Sequence, residues 1–182
     1  MKATEELMHE HRVIELVLGA LDRMRQEVGM GQPLVRDRAE KALEVLRNFA
    51  DRCHHTKEEQ HLFRALEARG MSREGGPLGV MLHEHELGRG HLRGMQRSLV
   101  GAAEADPEAG PAFARHARAY TDLLRQHIQK EDQVLYPMAQ EMLSAEEDAE
   151  LTAAFAQVER EVMGERAHER YHRLAHELAE RD

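Results

Sequence analysis

The residues best suited to chemistry in this 182-residue chain are histidines and glutamates, and they recur in a pattern. The stretch Cys53-His54-His55-Thr56-Lys57-Glu58-Glu59-Gln60-His61-Leu62-Phe63 has a second copy in His127-Ile128-Gln129-Lys130-Glu131-Asp132-Gln133-Val134-Leu135-Tyr136. Aligning His54 with His127 also aligns Lys57 with Lys130, Glu58 with Glu131, Leu62 with Leu135 and Phe63 with Tyr136. In each copy an imidazole and a carboxylate stand four residues apart. On an α-helix that spacing puts both on one face, about one turn apart. Upstream, Met8-His9-Glu10-His11 matches Leu82-His83-Glu84-His85, with 43 residues from His11 to His54 and 42 from His85 to His127. The pattern His…His-x-x-x-Glu therefore runs twice in nearly the same register. A duplicated helical hairpin, each half supplying two histidines and one glutamate, accounts for it.

Those six groups must be brought together by helices. Leu7, His11, Ile14, Leu18 and Leu21 recur at helical spacing and put His11 on an apolar face of a first helix starting near Thr4, whose hydroxyl can cap it. Gly29 to Pro33 breaks that helix, and a second runs from about Leu34 to Arg69, ending at Gly70. A third helix follows the Gly/Pro-rich loop from Met71 to Gly79 and reaches about Glu104; a fourth follows Asp106 to Pro111 and reaches about Leu143. Ser144 with Glu147 has the form of a capping box and opens a fifth helical stretch to Glu180, bent or broken near Gly164. No strand-like alternation occurs. The expected fold is all-α: an up-down-up-down four-helix bundle over residues 1–143, with an additional C-terminal helix over 144–182 packed on or beside it.

Composition narrows the function further. The net charge of −9 argues against general nucleic-acid binding, which needs a basic face. Thirteen histidines against one cysteine favour nitrogen and oxygen ligands over a thiolate cluster. The lone Cys53 excludes an internal disulfide, no apolar run approaches the roughly 20 residues of a membrane span, and the N-terminus lacks the apolar core of a signal peptide. These features predict a soluble cytoplasmic protein without membrane or nucleic-acid partners, as monomer or homo-oligomer. No Ser/His/Asp set or Gly-rich phosphate loop is present.

In a bundle of this kind His11, His54, Glu58, His85, His127 and Glu131 converge in the core, where burying them without a partner is costly. Two divalent metals bridged by Glu58 and Glu131, with about two histidines each, satisfy all six. That mixed donor set suits iron better than calcium, magnesium or structural zinc, and leaves positions open for a small molecule. Glu59 or Asp132 can replace its neighbour in the set, although the lysine-flanked contexts of Glu58 and Glu131 match.

The same residues, with Lys57-Glu58-Glu59 and Leu135-Tyr136-Pro137 nearby, resemble the hemerythrin-like (HHE cation-binding) family over about residues 5 to 140. The resemblance implies a four-helix bundle around two non-haem iron ions, carboxylate- and oxo- or hydroxo-bridged. It also implies a protein that handles dioxygen, peroxide or nitric oxide, with peroxide decomposition as the enzymatic option. A sensor or iron-storage module without turnover is the alternative. Arg89 stands where the oxygen-carrying branch has a second histidine on its third helix, so the resemblance is to the six-ligand branch.

Other residues have plainer readings. His9 and His83 lie off the buried face, and His55, opposite Ile128, is not a paired ligand. Cys53 reads as a small core residue beside His54, and Tyr120 as a core tyrosine that faces the same way as His127. The stripe His168, His172, His176 is either an amphipathic edge or an accessory metal site.

Overall fold

The computed structural model describes residues 1–164 and 167–180, and among these there is no strand. Helix α1 is Lys2–Gly29. Helix α2 spans 36–68 without interruption, as Arg36–Val45, two π-helical stretches, Leu46–His55 and Glu58–Leu62, and Phe63–Ala68. Helix α3 is Gly76–Ala103. Helix α4 spans 109–142, its π-helical turn Glu131–Leu135 lying between Ala109–Lys130 and Tyr136–Met142. The C-terminal arm comprises α5, Ala145–Val158 continued by Glu159–Met163, and α6, Ala167–Glu180.

The bundle forms as its sequence pattern implies, and the ends show how. Gly70 takes φ 96° just beyond α2, the left-handed conformation that favours glycine there. Ser144 accepts from the Glu147 amide while the Glu147 carboxylate accepts from the Ser144 amide, completing the capping box. Gly164, at φ 83°, breaks the last stretch into α5 and α6. Thr4 is different. The helix begins at Lys2, and Thr4 is buried within it, bonding the Met1 carbonyl at 3.1 Å. The cap comes instead from Asp148 in the arm, whose carboxylate accepts from the Lys2 and Ala3 amides at 3.0 Å each. Two carboxylate oxygens match two unpaired N–H groups at a helix N-terminus better than one hydroxyl does.

The arm lies along α1 and α2, running the same way as α1. It starts at the Lys2 end, passes Lys57 with Glu159, and finishes where Arg23 donates to the Leu178 carbonyl at 2.8 Å. No helix among the described residues is long and apolar enough to cross a membrane.

The apolar core falls into two clusters. One gathers Ile14, Leu18, Phe49, Met95, Phe113 and Leu124, joined by Tyr171, Ala175 and Leu178 of α6. The other gathers Leu7, Leu62, Phe63, Met81, Leu135 and Phe155. Along each bundle helix the sequence-predicted site residue lies between the two: His11 between Leu7 and Ile14, His127 between Leu124 and Leu135. A polar layer is held between two dry ones.

Candidate metal centre

The repeat becomes a pseudo-twofold cluster. α1 contributes His11, α2 His54 and Glu58, α3 His85, and α4 His127 and Glu131, and none of the six is more than 1% exposed. The His11 and His54 Nε2 atoms are 3.1 Å apart, and those of His85 and His127 are 3.0 Å apart. Glu131 reaches both pairs, Oε2 lying 3.2 Å from His11 Nε2 and Oε1 3.1 Å from His127 Nε2. Glu58 Oε2 lies 3.6 Å from His54 Nε2 and 3.4 Å from His85 Nε2. The donors form two overlapping groups, His11, His54, Glu58 and Glu131, and His55, Glu58, His85 and His127, with atoms in each within 4.8 Å of one another.

Local backbone explains the convergence. Glu58 and Glu131 each open a π-helical turn, whose i→i+5 bonding departs from the regular α-helical ladder. In α4 Pro137 follows that turn and has no N–H to give to the carbonyl four residues back, although the matching turn of α2 forms with Arg64 at that position.

Behind each imidazole stands a carboxylate. His11 Nδ1 is 2.7 Å from Asp132, His54 Nδ1 2.8 Å from Glu10, His85 Nδ1 2.7 Å from Glu59 and His127 Nδ1 3.0 Å from Glu84. Behind each carboxylate stands a cation: Arg12 for Asp132, Lys57 for Glu10, Arg89 for Glu59 and Lys130 for Glu84. Glu59 and Asp132 thus bond the outer ring nitrogens, whereas Glu58 and Glu131 face the inner ones. An Nδ1–H given to a carboxylate leaves Nε2 as the free lone pair, the tautomer that binds metal.

Electrostatics points the same way. Burial pulls His11 down, but its bonds to Asp132 and Glu131 and the charges of Glu131 and Glu58 outweigh it, lifting the ring to about 9. Burial likewise opposes protonation of His127, and Glu131 with Glu84 lifts it to about 10. Burial pushes Glu131 up, but the His127 and His11 rings hold it well below the usual carboxylate range. His55 is driven well below the usual imidazole value by burial and by His85, His54 and His127. Without a metal, protons on the rings balance the buried carboxylates; a cation placed between them replaces those protons.

The cluster fits a metal on its own chemistry. Glu58 Oε2 and both Glu131 oxygens are buried and, among the described residues, have no hydrogen-bond partner other than the imidazole nitrogens that face them. Bare buried carboxylate oxygens are expensive unless a cation takes them.

Fold and cluster together define a helical-bundle protein that binds cations in its core. The chain belongs to the hemerythrin HHE cation-binding domain family, whose model matches residues 2–139. Uncharacterized proteins of Mycobacterium bovis and Mycobacterium tuberculosis are 26% identical to it over 167 residues, which is 90% of this chain. The chain spans 63% of the length of those relatives. No solved structure gives a significant match.

Several residues stand apart from the sequence reading. The repeat puts Ile128 opposite His55, yet His55 is buried in the cluster, stacked on His85 with centroids 3.8 Å apart and planes 16° from parallel. Two nearly parallel rings cannot aim their in-plane lone pairs at one ion, so His55 packs over His85. Tyr136 donates to Glu58 Oε1 at 2.7 Å, while the Tyr120 hydroxyl is buried in the core without a partner among the described residues. Tyr136 stacks on His11 as its repeat partner Phe63 stacks on His85, so the alignment carried that signal. Glu10 and Glu84, each preceding an upstream histidine in the repeat, were equally legible. His9 and His83 are exposed, as expected. In the arm, His168 approaches Glu10 at 3.7 Å, His172 stacks with His9, and His176 is exposed.

Proposed function

We propose that the protein holds two iron ions in this cluster and uses them to handle dioxygen, peroxide or nitric oxide. His11 and His54 would hold one ion and His85 and His127 the other, with Glu58 and Glu131 shared between them. The observation that carries this reading is the set of buried carboxylate oxygens facing four imidazole Nε2 atoms whose Nδ1 atoms are already bonded. A mixed nitrogen and oxygen donor set suits iron, and six protein donors shared by two ions leave positions open.

Bound iron supplies one-electron redox steps and a place for a small molecule to coordinate. The chain does the rest. Asp132, Glu10, Glu59 and Glu84 fix the ring tautomers, Tyr136 holds Glu58 Oε1, and the two apolar clusters keep bulk water from the layer between them. If the iron pair turns over, peroxide decomposition is the reaction it suits. A sensor or storage role has one observation of its own: the arm touches the Glu10 that holds His54.

Anaerobic loading with ferrous ion followed by air should give near-ultraviolet charge-transfer bands of a bridged ferric pair. Rapid oxygen evolution on adding peroxide then marks turnover; stable bands without it mark sensing or storage. Loading with zinc but not iron overturns the redox reading.

A further inference from the structure

The repeat makes the two halves of the centre alike at the imidazoles, and the C-terminal arm makes them unlike one layer out. In one half Lys57 holds Glu10, which holds His54; in the other Lys130 holds Glu84, which holds His127. Lys130 is 38% exposed and, among the described residues, pairs with Glu84 alone. Lys57 is wholly buried, its ammonium 2.6 Å from Glu10, 2.7 Å from Glu6 and 2.7 Å from Glu159 of α5. An ammonium has three N–H donors, and here each has its own carboxylate. The Phe155 ring lies 5.7 Å from the same nitrogen, and His168 of α6 lies within 3.8 Å of both Glu10 and Glu159. The residues that close this node, Glu159, Phe155 and His168, all lie beyond the family match, which ends at residue 139.

We propose that Glu159, with His168 beside it, is a positioning residue for the His54 imidazole, acting through Lys57 and Glu10. It makes the His11/His54 metal position the tighter of the two and leaves the His85/His127 position as the one that exchanges. The proposal rests on the metal reading above. Its physical basis is the saturated ammonium: with Glu159 in place Lys57 has no spare donor and no room to swing, so Glu10 keeps one oxygen on Lys57 and the other on His54 Nδ1. Neutralise Glu159 and the buried ammonium loses one of its three charge-assisted partners, so Lys57 and Glu10 shift to compensate and the His54 ring is no longer fixed. Nothing comparable follows at His127, where Lys130 already reaches solvent.

The test is an anaerobic titration of the full-length, metal-free protein with ferrous ion against a chromophoric chelator, resolving two equivalents. Loss of an outer partner of a ligating histidine typically costs 10- to 100-fold in affinity. Glu159→Gln, one link further out, should weaken one equivalent about tenfold and leave the other within about twofold. Glu84→Gln should weaken the opposite equivalent. In the metal-free protein, the nitrogen NMR signals of the His54 ring should shift in Glu159→Gln while those of His127 stay. Asp148→Asn, which loosens the arm at the α1 cap without touching Lys57, should lower Tm and leave both equivalents as they were. The proposal is overturned if Glu159→Gln leaves both equivalents unchanged or weakens both alike, or if Asp148→Asn reproduces its effect. If the wild-type protein takes up no ferrous ion the metal reading itself fails, and the His54 NMR shift alone then decides whether the arm positions that ring.

Discussion

Glu131 lies between His11 and His127, one carboxylate oxygen 3.2 Å from the first ring and the other 3.1 Å from the second. Among the described residues, no other side chain places both of its oxygens against both halves of the repeat. Glu58 offers only Oε2 to His54 and His85, because Oε1 receives the Tyr136 hydroxyl. Glu131→Gln should therefore lose more than one metal equivalent, measured by metal analysis after anaerobic loading. A loss of one equivalent alone argues against bridging.

Much of this was legible because duplication marks the positions that matter. Two copies of His-x-x-x-Glu with matching upstream histidines carried the helical bundle and the six clustered side chains, since helical spacing alone decides which residues share a face. What the spacing could not carry was departure from symmetry. His55 has Ile128 opposite it, so the repeat is silent about a ring that lies against the centre, and the Phe63 opposite Tyr136 marks a stacked ring but not the hydroxyl that reaches Glu58. Arg89 looked like a lost ligand; the structure shows a guanidinium divided among Asp51, Glu59 and Glu86 at 2.6 to 2.7 Å, supporting His85 from behind. Asp148 as the cap of α1 depends on a contact across nearly the whole chain, which local pattern does not encode.

Metal binding should expel protons. His11 and His127 in the metal-free protein lie at about 9 and about 10, so both carry protons at pH 7, while a ligating imidazole must be neutral. Their raised values also stabilise the metal-free fold. That contribution is complete below the ordinary value of 6.5 and is lost as pH rises through about 9 to 10. Calorimetry of ferrous loading at pH 7 in buffers of different ionisation enthalpy should show net proton release, and the metal-free Tm should fall between pH 7 and 10. A buffer-independent heat counts against this account.

Tyr136→Phe removes the donor to Glu58 Oε1 and leaves a buried carboxylate oxygen bare. The metal-free protein should lose about 1–3 kcal/mol in denaturant unfolding, the cost of an unsatisfied buried acceptor. Unchanged stability would mean that water or a shifted Glu58 takes over the hydroxyl's place.

Cys53 is fully buried beside His54, and burial pushes its thiol up to about 12. It should resist thiol reagents in the native protein at neutral pH and react at once after denaturation. Rapid native labelling would instead show that the α2 core opens readily.

Chelation should loosen the bundle without unfolding it. The apolar clusters above and below the polar layer remain packed when the metals leave, and the protonated rings partly offset the carboxylates. Helical circular dichroism should persist while Tm drops, as expected when a ligand of the native state is withdrawn. Complete loss of helix on chelation would show that metal carries the fold.

The most direct test of the central claim is the iron content of the full-length protein after anaerobic ferrous loading and removal of free metal. Two overlapping donor groups predict about two irons per chain, falling below one in Glu131→Gln. Background iron in a protein with intact helical circular dichroism would contradict it.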